Sequence, residues 1–210
     1  EMLVRTPVEE ELLGEACRIA VEIGGYRMAW VGYAMENEGR DIIPMAHAGE
    51  EHGYLSEIQI SWADERSSGI GPGGQAVRSG KMVVVEDIIG DPTFSHWLSS
   101  AQERGYRSVV SLPLRDEMRS FGVLCMYSAE PHPSAADELK LLQEMANDLA
   151  FGIGNIRSRE ARQRTQEVVI KVAQAVSSGI GSEFFDLLTR NMVEALGGDG
   201  GLIGRYDPAG

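Results

Sequence analysis

The sequence predicts an α+β fold, in which helices frame a sheet of short strands. Apolar residues recur at helical spacing near the beginning of the chain and again from about residue 134. Between these helices lie several short apolar runs separated by polar turns. No strand–helix alternation of the kind found in parallel βαβ units surrounds the glycine-rich middle of the chain, which further favours the α+β class.

The first elements follow from local patterns. Residues 9–24 predict a helix, because apolar side chains recur every three or four positions and acidic residues crowd its start. A glycine pair ends this helix. Residues 28–35 and 41–49 predict two strands joined by a polar hairpin connection. Pro44 predicts an edge or a bulge in the second strand, because proline donates no backbone hydrogen bond. Residues 50–68 leave helix and strand open.

The stretch GIGPGGQAVRSGK, residues 69–81, raises the question of a phosphate-binding loop. A Walker loop requires GxxxxGK[ST] before a long helix, whereas Lys81 follows the glycines at too great a distance and leads into a strand. The letters GxGxxG are present, but the helix that follows is short. We therefore interpret the glycines as a turn that precedes a short helix. This helix ends at Gly80, and a strand follows at 82–88. Anion binding at the N-terminus of this helix stays open.

The second half of the sheet is predicted from the same signals. Residues 91–106 predict one helix, with Asp91 as N-cap, a proline in the first turn and Gly105 at its end. Residues 107–114 and 121–130 predict two further strands around a polar turn.

The last helix carries two patterns. Leu141 and Met145 form a face that can cover a sheet. A second face has alternating spacings of three and four, which is typical of a coiled-coil contact. We expect this face to form a dimer helix through Leu139, Leu142, Ala146, Leu149, Ile153 and Ile156. Residues 157–167 are polar and rich in helix formers, and indicate a solvated helical linker, with a disordered connector as the alternative.

A repeated pattern predicts a second domain. The segments from Leu12 and from Leu187 both run as an amphipathic helix, a glycine pair, a polar step and an apolar strand with an internal glycine. We therefore divide the chain into a first domain at 1–157, a helical linker at 158–181 and the beginning of a second domain at 182–210. Coincidence between two helix-to-strand units is the alternative.

Composition excludes several classes of function. A net charge of −13 argues against a nucleic-acid partner, which would require a basic face, and against an anionic membrane surface. No apolar run is long enough to span a membrane, and no signal peptide pattern begins the chain. The chain begins at Glu1 without an initiator methionine, which suggests a fragment of a longer protein. We expect a cytoplasmic location.

Cysteine and histidine usage predicts no metal or covalent chromophore site. Cys17 and Cys125 lie inside apolar patterns and are expected to be buried free thiols of a reduced compartment. The histidines are scattered without metal-ligand spacing, so neither haem nor iron is favoured; they are His47, His52, His96 and His132. We expect His96 to face solvent, although it is the one histidine close to the predicted site.

The order of the motifs resembles a GAF domain over residues 8–157. The motifs are G-x-G-P-x-G-x-A-x-R-S-G-K, V-V-V-x-D-I, D-P-x-F-x-x-W, G-Y-R-S-V-V-S-L-P-L and F-G-V-L-x-x-Y, followed by a long helix. The resemblance is strongest to domains of bacterial sensor histidine kinases, diguanylate cyclases and phosphodiesterases. It implies a central antiparallel sheet, with the terminal helices on one face and short helices and loops over a small-molecule pocket on the other.

The resemblance also implies a homodimer through the terminal helices, an unidentified ligand and relay to an output domain. We expect the pocket to draw on residues near the predicted helix at 91–106 and the strands beneath it, since aromatic walls with a few polar groups suit small ligands. The candidates are Trp30, Trp62, Phe94, Trp97, Tyr106, Ser108 and Asp87. The alternative is that these aromatics only fill the core. Asp87 and Asp91 flank the loop over the pocket, and we expect Asp91 to be a helix cap rather than a ligand contact.

The resemblance to GAF domains leaves three candidate functions. The sequence favours a non-catalytic sensing and dimerisation module, with a pure dimerisation scaffold as the alternative. A sizeable polar-lined cavity would favour sensing, and a closed apolar cavity would favour the scaffold. The Asn-Lys-Phe-Asp-Glu signature of cyclic-nucleotide GAF domains is absent. A free methionine sulfoxide reductase is disfavoured, because such enzymes use several cysteines around the cavity and this chain has two outside any loop.

Overall fold

The computed structural model describes residues 7–63, 67–131, 135–178, 182–198 and 200–202. His132, the predicted start of the last helix at Pro133 and Ser134, and most of the strand predicted after Leu202 lie outside these residues. The chain divides into two compact units, residues 1–154 and 155–210.

The first unit contains most of the secondary structure. Its helices are α1 (Pro7–Glu22), α2 (Tyr54–Glu57), α3 (Pro72–Ser79), α4 (Leu98–Glu103) and the beginning of α5 (Ala136–Ser178). Its strands are β1 (Met28–Ala34), β2 (Ile42–Gly49), β3 (Val83–Val85), β4 (Ser108–Arg115) and β5 (Ser120–Ser128). Short 3-10 turns at Ser67–Gly69 and Pro92–Phe94 complete it.

The strands form one antiparallel sheet in the order β2-β1-β5-β4-β3. Strand β2 lies at an edge, and its register with β1 shifts between Val31 and Gly32, opposite Pro44 and Ala46. The edge and the bulge that Pro44 predicted are therefore both present. The β4–β5 turn is stabilised by Asp116, whose carboxylate accepts hydrogen bonds from the amides of Met118 and Arg119, both at 2.8 Å.

Each face of the sheet has its own hydrophobic core. The helix-side core lies under α1 and α5 and includes Leu13, Cys17, Val31, Leu112, Leu124, Ala146, Leu149 and Ile153. The cavity-side core lies under α2, α3 and α4 and includes Trp30, Tyr54, Phe94, Trp97, Tyr106, Cys125 and Tyr127. The α+β arrangement of the prediction, with terminal helices on one face and short elements on the other, is confirmed.

The helix predicted at 91–106 is interrupted. Asp91 caps the short turn Pro92–Phe94, accepting a hydrogen bond from Thr93 N at 2.8 Å, and α4 begins only at Leu98. Phe94 and Trp97 are both buried in the cavity-side core. Tertiary packing of these two large side chains therefore overrides a helical sequence pattern.

The side of α5 predicted to meet a partner helix packs within the chain. Ala146, Leu149 and Ile153 are buried against the sheet, whereas Leu141, predicted to cover it, is 65% exposed. Met145, predicted with Leu141 to cover the sheet, does pack against this core, so the correction concerns Leu141 and the three residues of the predicted dimer face. Alternating spacings of three and four mark a buried helix face, but they do not say whether a sheet or another helix buries it.

The second unit contains the rest of α5, which includes Ile156, and α6 (Ser182–Leu196). The polar residues 157–167 lie within α5 and are helical, as predicted. Helix α6 exposes several large apolar side chains, namely Phe185, Leu187, Met192 and Leu196. In the part of the chain that the structure describes, no helix combines the length and the apolar character needed to cross a membrane.

Candidate functional site: a closed aromatic cavity

A small cavity lies between the sheet and the short elements that cover it. Strand β1 contributes Trp30, and β5 contributes Cys125 and Tyr127. These side chains meet because β1 and β5 pair with Trp30 opposite Cys125 and Met28 opposite Tyr127. Residues two positions apart on a strand share a face, so the register alone brings the three together.

The remaining walls come from irregular and short elements. They are Tyr54 of α2, Ile58 and Ile60 beyond it, residues 71–73 at the beginning of α3, and Phe94 with Trp97. The enclosed volume is about 20 Å³, which is room for about one water molecule. In this conformation the side chains of the walls fill nearly all of the space.

Aromatic rings pack edge-to-face around the cavity. Tyr54 meets Tyr106 and Tyr127 at centroid distances of 5.3 and 5.7 Å, and Phe94 meets Trp97 and Tyr127 at 5.9 and 6.4 Å. These separations lie in the favourable range for aromatic pairs. The Tyr106 hydroxyl donates to Glu50 O at 2.5 Å and holds its ring against the other two tyrosines.

One polar atom in the wall is unsatisfied. Trp30 Nε1 is buried and has no hydrogen-bond partner among the described residues. Trp30 lies close to Tyr127 and partly offsets the effect of burial, which raises the pKa of the Tyr127 hydroxyl. The two side chains do not have the geometry of a hydrogen bond. By contrast, Trp97 Nε1 donates to Gln59 O at 3.2 Å. Because an indole N–H only donates, the cavity offers a hydrogen bond to a molecule that carries an acceptor.

The ionisable groups of the cavity are held neutral. Burial raises the pKa of Tyr54 and of Tyr127 well above the usual value for tyrosine. Burial also raises the pKa of the Cys125 thiol to about 12, although its contact with Ser111 Oγ at 3.2 Å opposes the rise. At neutral pH Cys125 is therefore a thiol and not the reactive thiolate.

The glycines at the beginning of α3 permit close packing. A side chain at Gly71 would overlap the Trp97 ring, and one at Gly74 would meet Gly69 O at 2.6 Å. At Gly73 a Cβ atom would lie 3.6 Å from Cys125 Sγ, an ordinary contact. No side chain caps this helix, and its first turn lines the cavity. The glycine-rich stretch is thus a close-packed helix start rather than a Walker loop.

The part of the chain that forms this sheet, its helices and the aromatic cavity matches the model of a protein family. The model describes the GAF domain and matches residues 8–154. The chain belongs to the GAF domain family. No curated protein sequence matches the chain.

Solved GAF structures share the fold. The GAF domain of a phosphoenolpyruvate-protein phosphotransferase from Coxiella burnetii is 18% identical, with a TM-score of 0.61, over 74% of this chain and 88% of that one. A domain of a putative two-component sensor histidine kinase from Sinorhizobium meliloti 1021 is 18% identical, with a TM-score of 0.58, over 76% and 99%. Free methionine-R-sulfoxide reductase from Neisseria meningitidis is 21% identical, with a TM-score of 0.59, over 72% and 81%.

Three of the predicted pocket residues, Trp30, Phe94 and Trp97, line the cavity of this GAF domain together. Tyr106 belongs to the same core, where its ring packs edge-to-face against Tyr54 and tilted against Tyr127, and it does not line the cavity itself.

The other predicted pocket residues lie elsewhere. Trp62 lines a surface groove and donates through Nε1 to Met35 O at 2.9 Å. Ser108 Oγ donates to Glu130 O at 2.9 Å, at the end of β4. Asp87 lies at the surface, where hydrogen bonds from Arg107 and from Ile89 N lower the pKa of its carboxyl. The sequence motifs place these residues near the family's pocket, but their partners hold them outside it.

Sequence reasoning missed Tyr54, Cys125 and Tyr127. Cys125 is a buried free thiol within a strand, as predicted, and it also lines the cavity, which was not predicted. Period-two alternation along β5, combined with the pairing of β5 with β1, would have indicated Cys125 and Tyr127 once Trp30 was chosen. Tyr54 lies in a segment that gave no clear pattern, and no signal in the sequence distinguished it.

The described residues do not meet the requirements of a metal site. No group of three or more His, Cys, Asp or Glu side chains there could hold a metal ion. His96 lies edge-on to Trp97 at 5.1 Å between ring centroids, outside the cavity walls. His52 lies 3.7 Å from a Glu50 carboxylate oxygen at the surface.

Proposed function

We propose that this chain is the sensory module of a larger signalling protein, and that its cavity binds a small molecule without catalysis. Membership of the GAF family and the likeness to a sensor kinase domain support a signalling role. The observation that carries the ligand proposal is the unpartnered Trp30 Nε1, buried in the cavity wall beside the uncapped first turn of α3. Native proteins rarely bury such a donor without a use for it.

The chemistry of the walls selects a type of ligand. Trp30 Nε1 is a donor only, and the tyrosine hydroxyls remain protonated, so they can also donate. A helix N-terminus adds amide donors and a favourable dipole. We therefore propose a small ligand with an acceptor group, such as a carbonyl or carboxylate, and an apolar part that packs on the aromatic rings.

Ligand entry requires the cavity to open, since its present volume of about 20 Å³ is too small for an organic molecule. Phe94 and Trp97 lie on short elements between β3 and α4, and no long helix covers them. We propose that this segment moves outward when the ligand binds. The ligand can then shift the equilibrium between the present conformation and the opened one only if it binds the two with different affinities.

Relay and dimerisation are proposed through the terminal helices. Since Ala146, Leu149 and Ile153 are used within the core, we propose that a second copy packs instead on the exposed face of α5 that includes Leu141 and Phe151. Phe151 is 72% exposed. Phe151→Ser is expected to weaken the dimer without lowering thermal stability, and sedimentation equilibrium measures the first effect. An unchanged dimer would remove this face from the proposal.

The domain limits of the full protein are part of the proposal. We propose that residues 158–181 act as a helical linker and that residues 182–210 begin a second GAF-like domain. Helix α6 supports this, because its exposed apolar face is typical of a helix that another layer covers in a complete domain. An output domain elsewhere in a longer cytoplasmic protein would receive the signal.

A dimerisation scaffold without a ligand is the second candidate. The closed state of the cavity favours it, since aromatic side chains already fill most of the space. Under this alternative Trp30 Nε1 is a tolerated packing defect. The two candidates make opposite predictions for ligand retention, so one experiment separates them.

Catalysis is disfavoured by the thiols. Two neighbours are free methionine-R-sulfoxide reductases. In this chain Cys17 lies in the helix-side core and Cys125 in the cavity-side core, so the two thiols lie on opposite faces of the sheet. Burial raises the pKa of each to about 12. We propose that neither serves as a redox nucleophile.

Native mass spectrometry, followed by the same sample under denaturing conditions, tests the proposal. We expect additional mass that leaves on denaturation, and loss of that mass in Gly73→Ala, whose methyl group occupies the cavity. Gly14→Ala is the matched control, because nothing lies within 4 Å of the methyl group that it adds on α1, and it should retain the mass. If the wild type retains nothing, and no carboxylate- or carbonyl-bearing metabolite in a panel shifts the Trp30 indole NMR signal, the scaffold candidate replaces sensing.

A further inference from the structure

A second concave site lies at the opposite end of α3 from the cavity. We name it the arginine groove; it is lined by Trp62, Arg78, Arg115 and Arg119, with Glu36, Ser79, Gly80 and Met118 at its edges. Its volume is about 300 Å³, the lower end of the range for small-molecule sites. Neither the sensing proposal nor the scaffold candidate uses it.

The local charge of the groove differs from that of the chain. Of the described residues, three with guanidinium groups and one with a carboxylate line it, although the whole protein carries a net charge of −13. Arg119 is paired with Glu36. Within the described part of the chain, Arg78 and Arg115 form no ion pair, despite the large excess of acidic residues. Unpaired arginines at a concave site provide a local field that attracts anions.

The hydrogen bonds of the two unpaired arginines leave donors for a ligand. Arg78 uses Nη1 to donate to Gly69 O at 2.7 Å and to Trp62 O at 3.1 Å, which fixes its position. Among the described residues Arg115 makes one hydrogen bond, from Nη1 to Gly80 O at 3.5 Å, and its charge also acts on the neighbouring Asp116. A guanidinium carries five N–H donors in a planar fork that matches the oxygens of phosphate. Most of this capacity is unused here.

Trp62 gives the groove an aromatic wall in a fixed orientation. Its Nε1 donates to Met35 O at 2.9 Å, and the Arg40 guanidinium lies 4.9 Å from the ring centroid. Arg40 covers one face of the ring and the cavity-side core contacts another part, and the half-buried side chain leaves the rest of the indole exposed to the groove. A rigid indole beside guanidinium groups suits a ligand that joins a flat ring to an anion.

We propose that the arginine groove binds a small organic phosphate that carries a flat ring, which is the chemistry of a nucleotide. The phosphate lies between Arg78 and Arg115, which come from α3 and β4 and can contact different oxygens of one phosphate. The ring packs against Trp62. This site is separate from the aromatic cavity and does not depend on what binds there.

The test is NMR of the tryptophan-labelled protein titrated with adenosine 5′-monophosphate at low ionic strength. The chain contains three tryptophans, so three indole N–H signals report on two sites. We expect the Trp62 signal, identified with Trp62→Phe, to shift and saturate while those of Trp30 and Trp97 remain still. Inorganic phosphate should compete with the nucleotide, and adenosine without phosphate should bind far more weakly.

Matched arginine variants complete the test. Arg115→Gln should weaken binding by about ten-fold or more, because it removes charged donors to phosphate. Its unfolding midpoint should remain unchanged, since Arg115 makes one long hydrogen bond among the described residues. Arg18→Gln removes the same charge from an exposed position on α1 and should leave affinity unchanged. A still Trp62 signal, shifts at Trp30 and Trp97 instead, or equal losses in both arginine variants would each overturn the proposal.

Discussion

The two faces of the sheet are covered by different kinds of structure. On the helix side, α1 and α5 bury aliphatic side chains such as Leu13, Leu124 and Ile153. On the cavity side, helices of four to eight residues cover a core dominated by aromatic rings. Long helices present many apolar contacts in register, whereas short elements are anchored by a few large side chains.

The polar groups of the two faces differ in the same sense. On the helix side the buried Glu9 accepts a hydrogen bond from the Tyr33 hydroxyl at 2.6 Å, and Tyr26 donates to Glu138 at 3.0 Å. On the cavity side Trp30 Nε1 has no partner among the described residues. Although Trp97 and Tyr106 on the cavity side have backbone acceptors, we infer from the short elements and the unpaired Trp30 that this side can rearrange more readily than the helix side.

The largest effect is expected from the helix side. Leu13 lies on the buried face of α1 and is fully buried, so Leu13→Ala should lower the free energy of unfolding by about 3 kcal/mol. Urea unfolding followed by tryptophan fluorescence measures this loss. The exposed Leu141 is the control, and Leu141→Ala should change stability by less than about 0.5 kcal/mol. Equal losses in both variants would contradict the assignment of the α5 faces.

Gly71→Ala tests how tightly α3 packs on the cavity side. The added methyl group would overlap the Trp97 ring, which is buried and cannot move aside without disturbing Phe94. We expect a loss of about 2 kcal/mol in stability. Should the variant be as stable as wild type, Trp97 must have room to move, and the cavity would be looser than described.

The pH dependence of stability tests whether the cavity stays dry. Burial raises the pKa of Cys125 from 9.0 to about 12, so the unfolded chain ionises first as pH rises. The stabilisation by the buried neutral thiol is complete below pH 9 and is lost as the pH rises from 9 to about 12. In that window wild type should lose about 1 kcal/mol per pH unit more than Cys125→Ser. Parallel curves in alkaline urea titrations would indicate a hydrated thiol.

The smallest predicted effect has the opposite sign. Gly73→Ala places a methyl group in the cavity at ordinary contact distance and replaces glycine within a helix. We expect stability to rise by about 0.5 kcal/mol, seen as a higher thermal midpoint. The comparison with Gly71→Ala is matched, since the two positions lie two residues apart. A destabilised Gly73→Ala would place the cavity elsewhere.

Sequence patterns predicted the regular parts of this fold well. Helix α1, all five strands and the short helix α3 that ends at Gly80 follow from periodicity, glycine stops and Pro44. These signals are local, so one sequence is sufficient to detect them. Which element packs on a buried helix face depends on the tertiary structure and not on the local sequence. The apolar repeat of α5 therefore predicted correctly that this face is buried, but it did not predict that the sheet, rather than a partner helix, buries it.

The cavity was only partly predictable for a related reason. Trp30, Phe94 and Trp97 are large residues in recognisable motifs, and they were found. Tyr54 depends on the path of an irregular segment, and Cys125 depends on strand register; both are set by tertiary structure. Trp62 was misassigned because its indole has a backbone acceptor outside the cavity, which no sequence pattern reveals.

The most direct test of the contrast between the two faces compares their buried thiols. Cys17 and Cys125 are 0% and 1% exposed, and burial raises both pKa values to about 12. Alkylation by iodoacetamide under native conditions, followed by peptide mass analysis, reports both rates in one sample. We expect Cys125 to react faster through local opening, and Cys17 to react only at the rate of global unfolding. Equal rates, or faster modification of Cys17, would contradict an adaptable cavity side over a rigid helix side.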